Sequence, residues 1–198
     1  MALRLRDQAA EMRLRLCLER LRQLHGGSEL DRLLQVTLEA AIVVTGTQMG
    51  NLQLFNRHFR GLEIKAHRGF KPDFLDYFEF VADRDTACGM ALNAGRQILV
   101  SNVAESPIFT EGAREVMLKA QVRAVHSTPL IDGHGQVLGI VSVHYALPFR
   151  YGDGDGVRLG ILARCAADLI GPLRHRGGKR RGQHYPMRNG TILGLKRA

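Results

Sequence analysis

No stretch of this chain is apolar for long enough to cross a bilayer. Its first residues, Met1-Ala2-Leu3-Arg4-Leu5-Arg6-Asp7, lack the apolar centre of a secretory signal. A cytoplasmic location is therefore expected. Cysteine is scarce: Cys17, Cys88 and Cys165 are odd in number and far apart. Neither a disulfide framework nor a zinc site is expected from them, and a reducing compartment fits. Acidic residues are missing altogether from the last 28 residues, which carry eight lysines and arginines. The net charge of +9 thus belongs to a tail, because the chain up to residue 170 is close to neutral. Missing too is any paired acid, base and nucleophile at plausible spacing, so binding without turnover is expected.

What is present suffices for one domain with a real core: 198 residues, 45% of them hydrophobic. Residues 2–24 read as an amphipathic helix with Ala10, Leu14, Cys17, Leu21 and Leu24 in a short heptad seam. Gly26-Gly27 ends it, and Ser28 with Asp31 forms an imperfect capping box for a second helix. That helix buries Leu30, Leu33, Leu34, Leu38, Ala41 and Ile42. The seam serves equally well for packing on its own domain or for a dimer.

Residues 50–55 and 62–67 alternate with period two and form a hairpin. An aromatic segment follows with Phe74, Leu75, Tyr77, Phe78 and Phe80, helical after Pro72. Then come a short helix at 86–94, a buried strand at 97–100 and a helix at 111–120. Residues 122–144 are two strand-like runs about an Asp132-Gly133 turn. The closing helix spans 157–170, with Val157, Ile161, Leu162, Cys165 and Leu169 on one side and Asp153 or Asp155 as its N-cap. Antiparallel hairpins with helices between and around them make an α+β sandwich. The predicted organisation is a dimerising helix at 1–27, a domain at 28–170 and a basic, disordered tail at 171–198.

The last hairpin is unusual for so apolar a pair of strands. His126 and Thr128 share a face of the first run, and Ser142 and His144 share a face of the second. Asn51 and Gln53 likewise share one face of their strand, with Leu52 and Leu54 on the other. Polar sets on such strands predict a sheet that lines a cavity; the plainer alternative is a solvated sheet face.

Here a family resemblance becomes specific. Asn51-Leu52-Gln53-Leu54, Ala66-His67-Arg68-Gly69-Phe70, Ala87-Cys88-Gly89 and Arg123-Ala124-Val125-His126-Ser127-Thr128-Pro129-Leu130 occur in that order. With Gly139-Ile140-Val141-Ser142-Val143-His144 and Ala166-Ala167-Asp168-Leu169-Ile170, the pattern from about Leu30 to Ile170 resembles a GAF domain. More narrowly, it resembles those of bacterial sensor histidine kinases that also carry PAS modules. The resemblance implies a six-stranded antiparallel sheet, terminal helices on one face and short helices closing a small-molecule pocket on the other. It also implies a homodimer through the terminal helices and a partner signalling protein. No phosphoacceptor or ATP-binding region follows Gly171-Pro172, so a module that does not itself phosphorylate is expected.

The expected pocket comprises Asn51, Gln53, Phe70, Cys88, His126, Thr128, Ser142 and His144. It offers amides, hydroxyls and imidazoles, so a small polar or aromatic ligand is expected, its identity unspecified. Two histidines without a third ligand are a weak signal for metal or haem, and neither is expected. GAF-type free methionine sulfoxide reductases use a cluster of cysteines, because one must resolve the sulfenic acid formed on another. Cys88 has no cysteine near it in sequence, so a small buried thiol is the simpler account and a redox enzyme the alternative. No Cys-His pair suggests an attached bilin. Asp153-Gly154-Asp155-Gly156 lacks the later ligands of a calcium loop. Lys179-Arg180-Arg181 and nearby arginines suit non-specific contact with nucleic acid or an acidic surface.

Overall fold

The computed structural model describes residues 2–23, 29–148 and 154–178, with side chains for all of these but 2–7, 22 and 175–178. The elements are α1 (Ala2–Arg22), α2 (Glu29–Thr45), β1 (Met49–Asn56), β2 (Gly61–Arg68), α3 (Pro72–Phe78) and β3 (Phe80–Val81). They continue with α4 (Ala87–Ala94), β4 (Ile98–Val100), α5 (Glu111–Lys119), β5 (Ala124–Ile131), β6 (Val137–Tyr145) and α6 (Asp155–Gly178). The strands form one antiparallel sheet of order β3-β2-β1-β6-β5-β4. This is the predicted six-stranded α+β arrangement. The two-residue β3 lies where the sequence reads only as the end of the aromatic segment.

Alternation along the strands sorts the core into two clusters. Leu52, Leu54, Leu130, Val141 and Val143 pack with α1, α2 and α6. Val125 and Ile140 pack with Phe74 and Phe78 of α3, Cys88 and Ala91 of α4, and Met117 of α5. Glycine permits the close seating of α2 on β1, because a Cβ at Gly50 would lie 2.9 Å from both Leu38 Cδ1 and the Ser142 carbonyl oxygen.

The seam of α1 is used within the chain. Ala10, Leu14 and Leu21 are buried and the helix packs on α2 and α6, while Met12 and Leu16 face outward. Leu24 and the Gly26–Ser28 signals lie outside the described residues. In α6 the buried stripe is Leu159, Leu162, Ala163, Ala166, Ala167 and Ile170, whereas Val157 and Ile161 are exposed. The predicted apolar side was therefore rotated away from the true one. The alanines mark the face that approaches α2 and the sheet most closely.

Two local expectations are corrected. The turn after β5 takes its positive φ at Gly135 (76°), while the Asp132 carboxylate accepts from the backbone N–H groups of His134 and Gln136, each at 2.9 Å. Nor does α6 stop at Gly171-Pro172; it continues to Gly178. Proline removes one helical hydrogen bond and crowds the preceding turn. A tertiary tether compensates: Arg174 donates from Nη1 to the Leu138 carbonyl at 2.8 Å and from Nη2 to the Phe55 carbonyl at 2.7 Å. Arg174, read in sequence as part of the tail, thus joins the end of α6 to the ends of β1 and β6. Residues 179–198 lie outside the described residues.

Arg174→Ala removes two charge-assisted bonds and leaves two strand-end carbonyls without that donor. It is expected to lower stability by roughly 2 kcal/mol in urea denaturation, more than removal of a solvated tail residue would.

Candidate functional site

On the face covered by α3, α4 and α5, the central strands bury polar side chains. Asn51 and Gln53 come from β1, Ser142 and His144 from β6 and Ser127 from β5, all nearly inaccessible to solvent. The register sets this out: Asn51 pairs with Ser142, and Ser142 in turn pairs with Ser127, their hydroxyl oxygens 2.8 Å apart. Together with Thr86, Cys88, Phe74, Phe78, Phe109 and Met117 they enclose a cavity of about 20 Å³. That is room for about one water molecule.

The lining is electrostatically incomplete. Among the described residues, Asn51 Oδ1, Gln53 Oε1, Gln53 Nε2 and His144 Nδ1 are buried without a hydrogen-bond partner. Each such group costs about 1–3 kcal/mol relative to a satisfied one. His144 stands edge-on to Phe70 and Phe74, with centroids at 4.9 and 5.8 Å, and those two rings stack at 3.8 Å. Burial in this aromatic setting lowers its pKa to about 3, so the imidazole is neutral at physiological pH.

Phe74 has a second exposure. It also lines a surface cleft of about 290 Å³ with Gly69, Lys71, Asp73, Lys119 and Gln121. Its ring therefore stands between that cleft and the inner cavity. The Lys119–Asp73 ion pair, 2.8 Å long and well exposed, joins α5 to α3 beside it. Such a pair is a weak latch that salt screens.

Of the predicted set, Asn51, Gln53, Cys88, Ser142 and His144 line the cavity, and Phe70 supports it by packing on His144. His126 and Thr128 do not belong. Because Ser127 opposes Ser142, their side chains turn to the terminal-helix face. A register shift between Leu130 and Ile131 decides this, and the loop sequence does not announce it. His126 Nε2 instead lies 3.3 Å from Gln97 Oε1, and burial lowers the His126 pKa against the opposing effect of Asp155. The two histidines occupy opposite faces and cannot share a metal or haem. Ser127, Thr86, Phe109 and Met117 were missed as lining residues; the Ser127 hydroxyl, in a run otherwise apolar on its side, was the available signal.

Cys88 sits in the first turn of α4. The Thr86 hydroxyl caps that turn by accepting from the Gly89 N–H at 3.1 Å, and lies 3.3 Å from Cys88 Sγ. Burial, the largest effect, raises the Cys88 pKa and keeps it a thiol. Cys17 and Cys165 lie on α1 and α6, across the sheet.

A family model of the GAF domain matches residues 27–171. The chain belongs to the GAF-domain family. Solved structures agree on the fold. A domain of a two-component sensor histidine kinase protein from Sinorhizobium meliloti 1021 superposes with a TM-score of 0.64 at 18% identity, covering 79% of this chain and 99% of that one. The GAF domain of an Acinetobacter phosphoenolpyruvate-protein phosphotransferase gives 0.69 at 12% identity, covering 86% and 98%. Free methionine-R-sulfoxide reductase from Neisseria meningitidis gives 0.69 at 14% identity, covering 84% and 91%. No curated protein matches the chain in sequence. At these identities the likenesses bear on the fold alone.

A neutral buried histidine makes this GAF domain acid-sensitive. Between about pH 6.5 and 3 the unfolded chain binds a proton at residue 144 that the folded chain refuses, so stability falls as pH falls. The slope is at most about 1.4 kcal/mol per pH unit for this one proton. In denaturant titrations, His144→Phe is expected to flatten the acid-side loss; His126, whose pKa burial also lowers, contributes in the same direction.

Proposed function

We propose that this GAF domain is a non-catalytic, cytoplasmic sensor that takes a small, uncharged polar ligand between its sheet and α3, α4 and α5. The observation that carries the reading is Gln53. Its amide is fully buried, and neither its donor nor its acceptor has a partner, beside the unpartnered acceptor of Asn51 and Nδ1 of His144. A donor and an acceptor side by side are complementary to an amide-like group or a polar ring edge. The site-facing set contains no carboxylate or ammonium group, and His144 is neutral, so a strongly charged group finds no counter-ion there.

A cavity of about 20 Å³ is far smaller than the few hundred Å³ of a small-molecule site. Ligand entry therefore requires Phe74 to swing off Phe70, which would merge the cavity with the cleft of about 290 Å³ outside. The output runs through α6. Asn51 and Gln53 lie on β1 and Ser142 and His144 on β6, the strands whose end carbonyls hold Arg174. A shift of those strands moves the anchor of the terminal helix toward a partner signalling protein. Self-association uses residues left over from the intramolecular seam: Met12 and Leu16 on α1, Val157 and Ile161 on α6. The basic segment beyond residue 178 adds a non-specific attraction to acidic surfaces.

The competing reading is a redox enzyme, favoured by the likeness to the Neisseria reductase. Against it stand the raised pKa of Cys88 and the placement of the other two cysteines on helices across the sheet.

Native mass spectrometry of the purified protein, followed by a thermal-shift screen of small polar metabolites, tests the proposal. Gln53→Leu is expected to stabilise the free protein by about 1–3 kcal/mol, since it removes two unsatisfied atoms, and to abolish the ligand-induced shift. A shift that survives Gln53→Leu unchanged overturns the site. Cys88→Ser is expected to leave binding intact, and Cys88-dependent reduction of methionine sulfoxide would overturn the non-catalytic reading.

Met12→Glu with Leu16→Glu is expected to shift the mass in light scattering from dimer to monomer, without the core damage that charges at Leu14 and Leu21 would cause. A wild type that is monomeric at tens of micromolar (roughly) removes the self-association reading.

A further inference from the structure

The open edge of the sheet beside β5 carries a second concavity with a different chemistry. β4 is short and pairs with β5 only from Val125 to Ser127. Beyond Ser127, β5 is an edge strand, a place that tolerates Pro129. There, between β5, the turn after α4 and the flank of α6, lies a groove of about 320 Å³. Arg96 and Arg164 stand on its rim, Pro129 and Ile131 supply apolar surface, and Thr128 and Gly160 complete the wall.

Two features set this groove apart. Its wall is braced: Gln97 Nε2 donates to the Gly156 carbonyl at 2.8 Å, and glycine at 160 makes room, since a Cβ there would lie 3.2 Å from Gln97 Nε2. Its cations are under-used. Among the described residues Arg96 has no hydrogen bond or ion pair, and Arg164 has only Asp168, at 3.6 Å through Nε.

We propose that this groove binds a small organic anion, its carboxylate or phosphate group gripped by Arg96 and Arg164 and its body resting on Pro129 and Ile131. Guanidinium forks match the oxygens of either group in paired hydrogen bonds, which an ammonium cannot do. The volume suits a compact molecule. Asp168 must yield Arg164 to the incoming anion, and its long contact makes that exchange easy. Gly160 and Arg164 both belong to α6, so occupancy bears directly on the helix that carries Arg174. The site is separate from the cavity around Gln53 and takes ligand of opposite character, so either can fail alone.

The test is a ¹⁵N–¹H NMR titration of the full chain with inorganic phosphate and, separately, with acetate, sodium chloride holding the ionic strength constant. Saturable shifts are expected at the amides of Arg96, Thr128 and Gly160, and the tighter of the two probes names the preferred group. Arg96→Gln with Arg164→Gln is expected to weaken binding at least about tenfold while leaving the rest of the spectrum in place. Arg164→Gln alone serves if the double variant folds poorly. The proposal is overturned if neither probe binds, if the shifts fall only on Lys71, Lys119 or residues 179–198, or if the glutamine variants bind as the wild type does.

Discussion

Both faces of the central strands are buried, and the rest of the molecule follows from that constraint. Once Leu52 and Val141 point into the terminal helices, pleating sends Asn51, Gln53, Ser142 and His144 the other way. Those residues are polar, and that side is also covered, by α3 with its Phe74 and Phe78 and by α4 and α5. A soluble sheet would normally put such residues in water. Here they are buried, and Ser127 and Ser142 hydrogen-bond one another while, among the described residues, the Gln53 side chain has no partner. An apolar residue at position 53 would make a more stable core, so the buried amide is a cost that the fold carries.

The same strands connect the cavity to the chain's last described helix. Arg174 draws two carbonyls, one from the end of β1 and one from the start of β6, onto α6 beyond Pro172. A proline there would ordinarily end a helix. The tether offsets that tendency, leaving a helix whose final turns depend on strand position. Local helical preference and tertiary contact oppose one another at this point, and such balanced segments respond to small displacements.

The two concavities divide the chemistry between them. The cavity under α3 is neutral, aromatic and closed, with a histidine stripped of its charge by burial. The groove beside α6 is open and rimmed by arginines. One lies beneath α3–α5 and the other at the open edge of β5, and α6 borders the second while being tethered to the strands of the first.

Fold class was readable from residue order alone: a period-two hairpin at 50–67, two strand-like runs at 122–144, helical spacing at 30–42, and family blocks over most of the chain all agree with the structure. Local pattern suffices for that, because burying an apolar face leaves few layer arrangements open. Asn51, Gln53, Ser142 and His144 were readable for the same reason. What lay beyond reach depended on register and on distant partners. A one-residue slip at Leu130 and Ile131 exchanges Ser127 for His126 and Thr128, since side chains change face with every residue. The buried side of α6 follows alanines whose importance appears only when α2 and the sheet arrive. The passage of α6 through Pro172 rests on carbonyls 36 and 119 residues away in sequence. Periodicity thus determines which elements form; which polar atoms they leave unpaired, and where a helix ends, are decided by the packing of elements that are strangers in sequence.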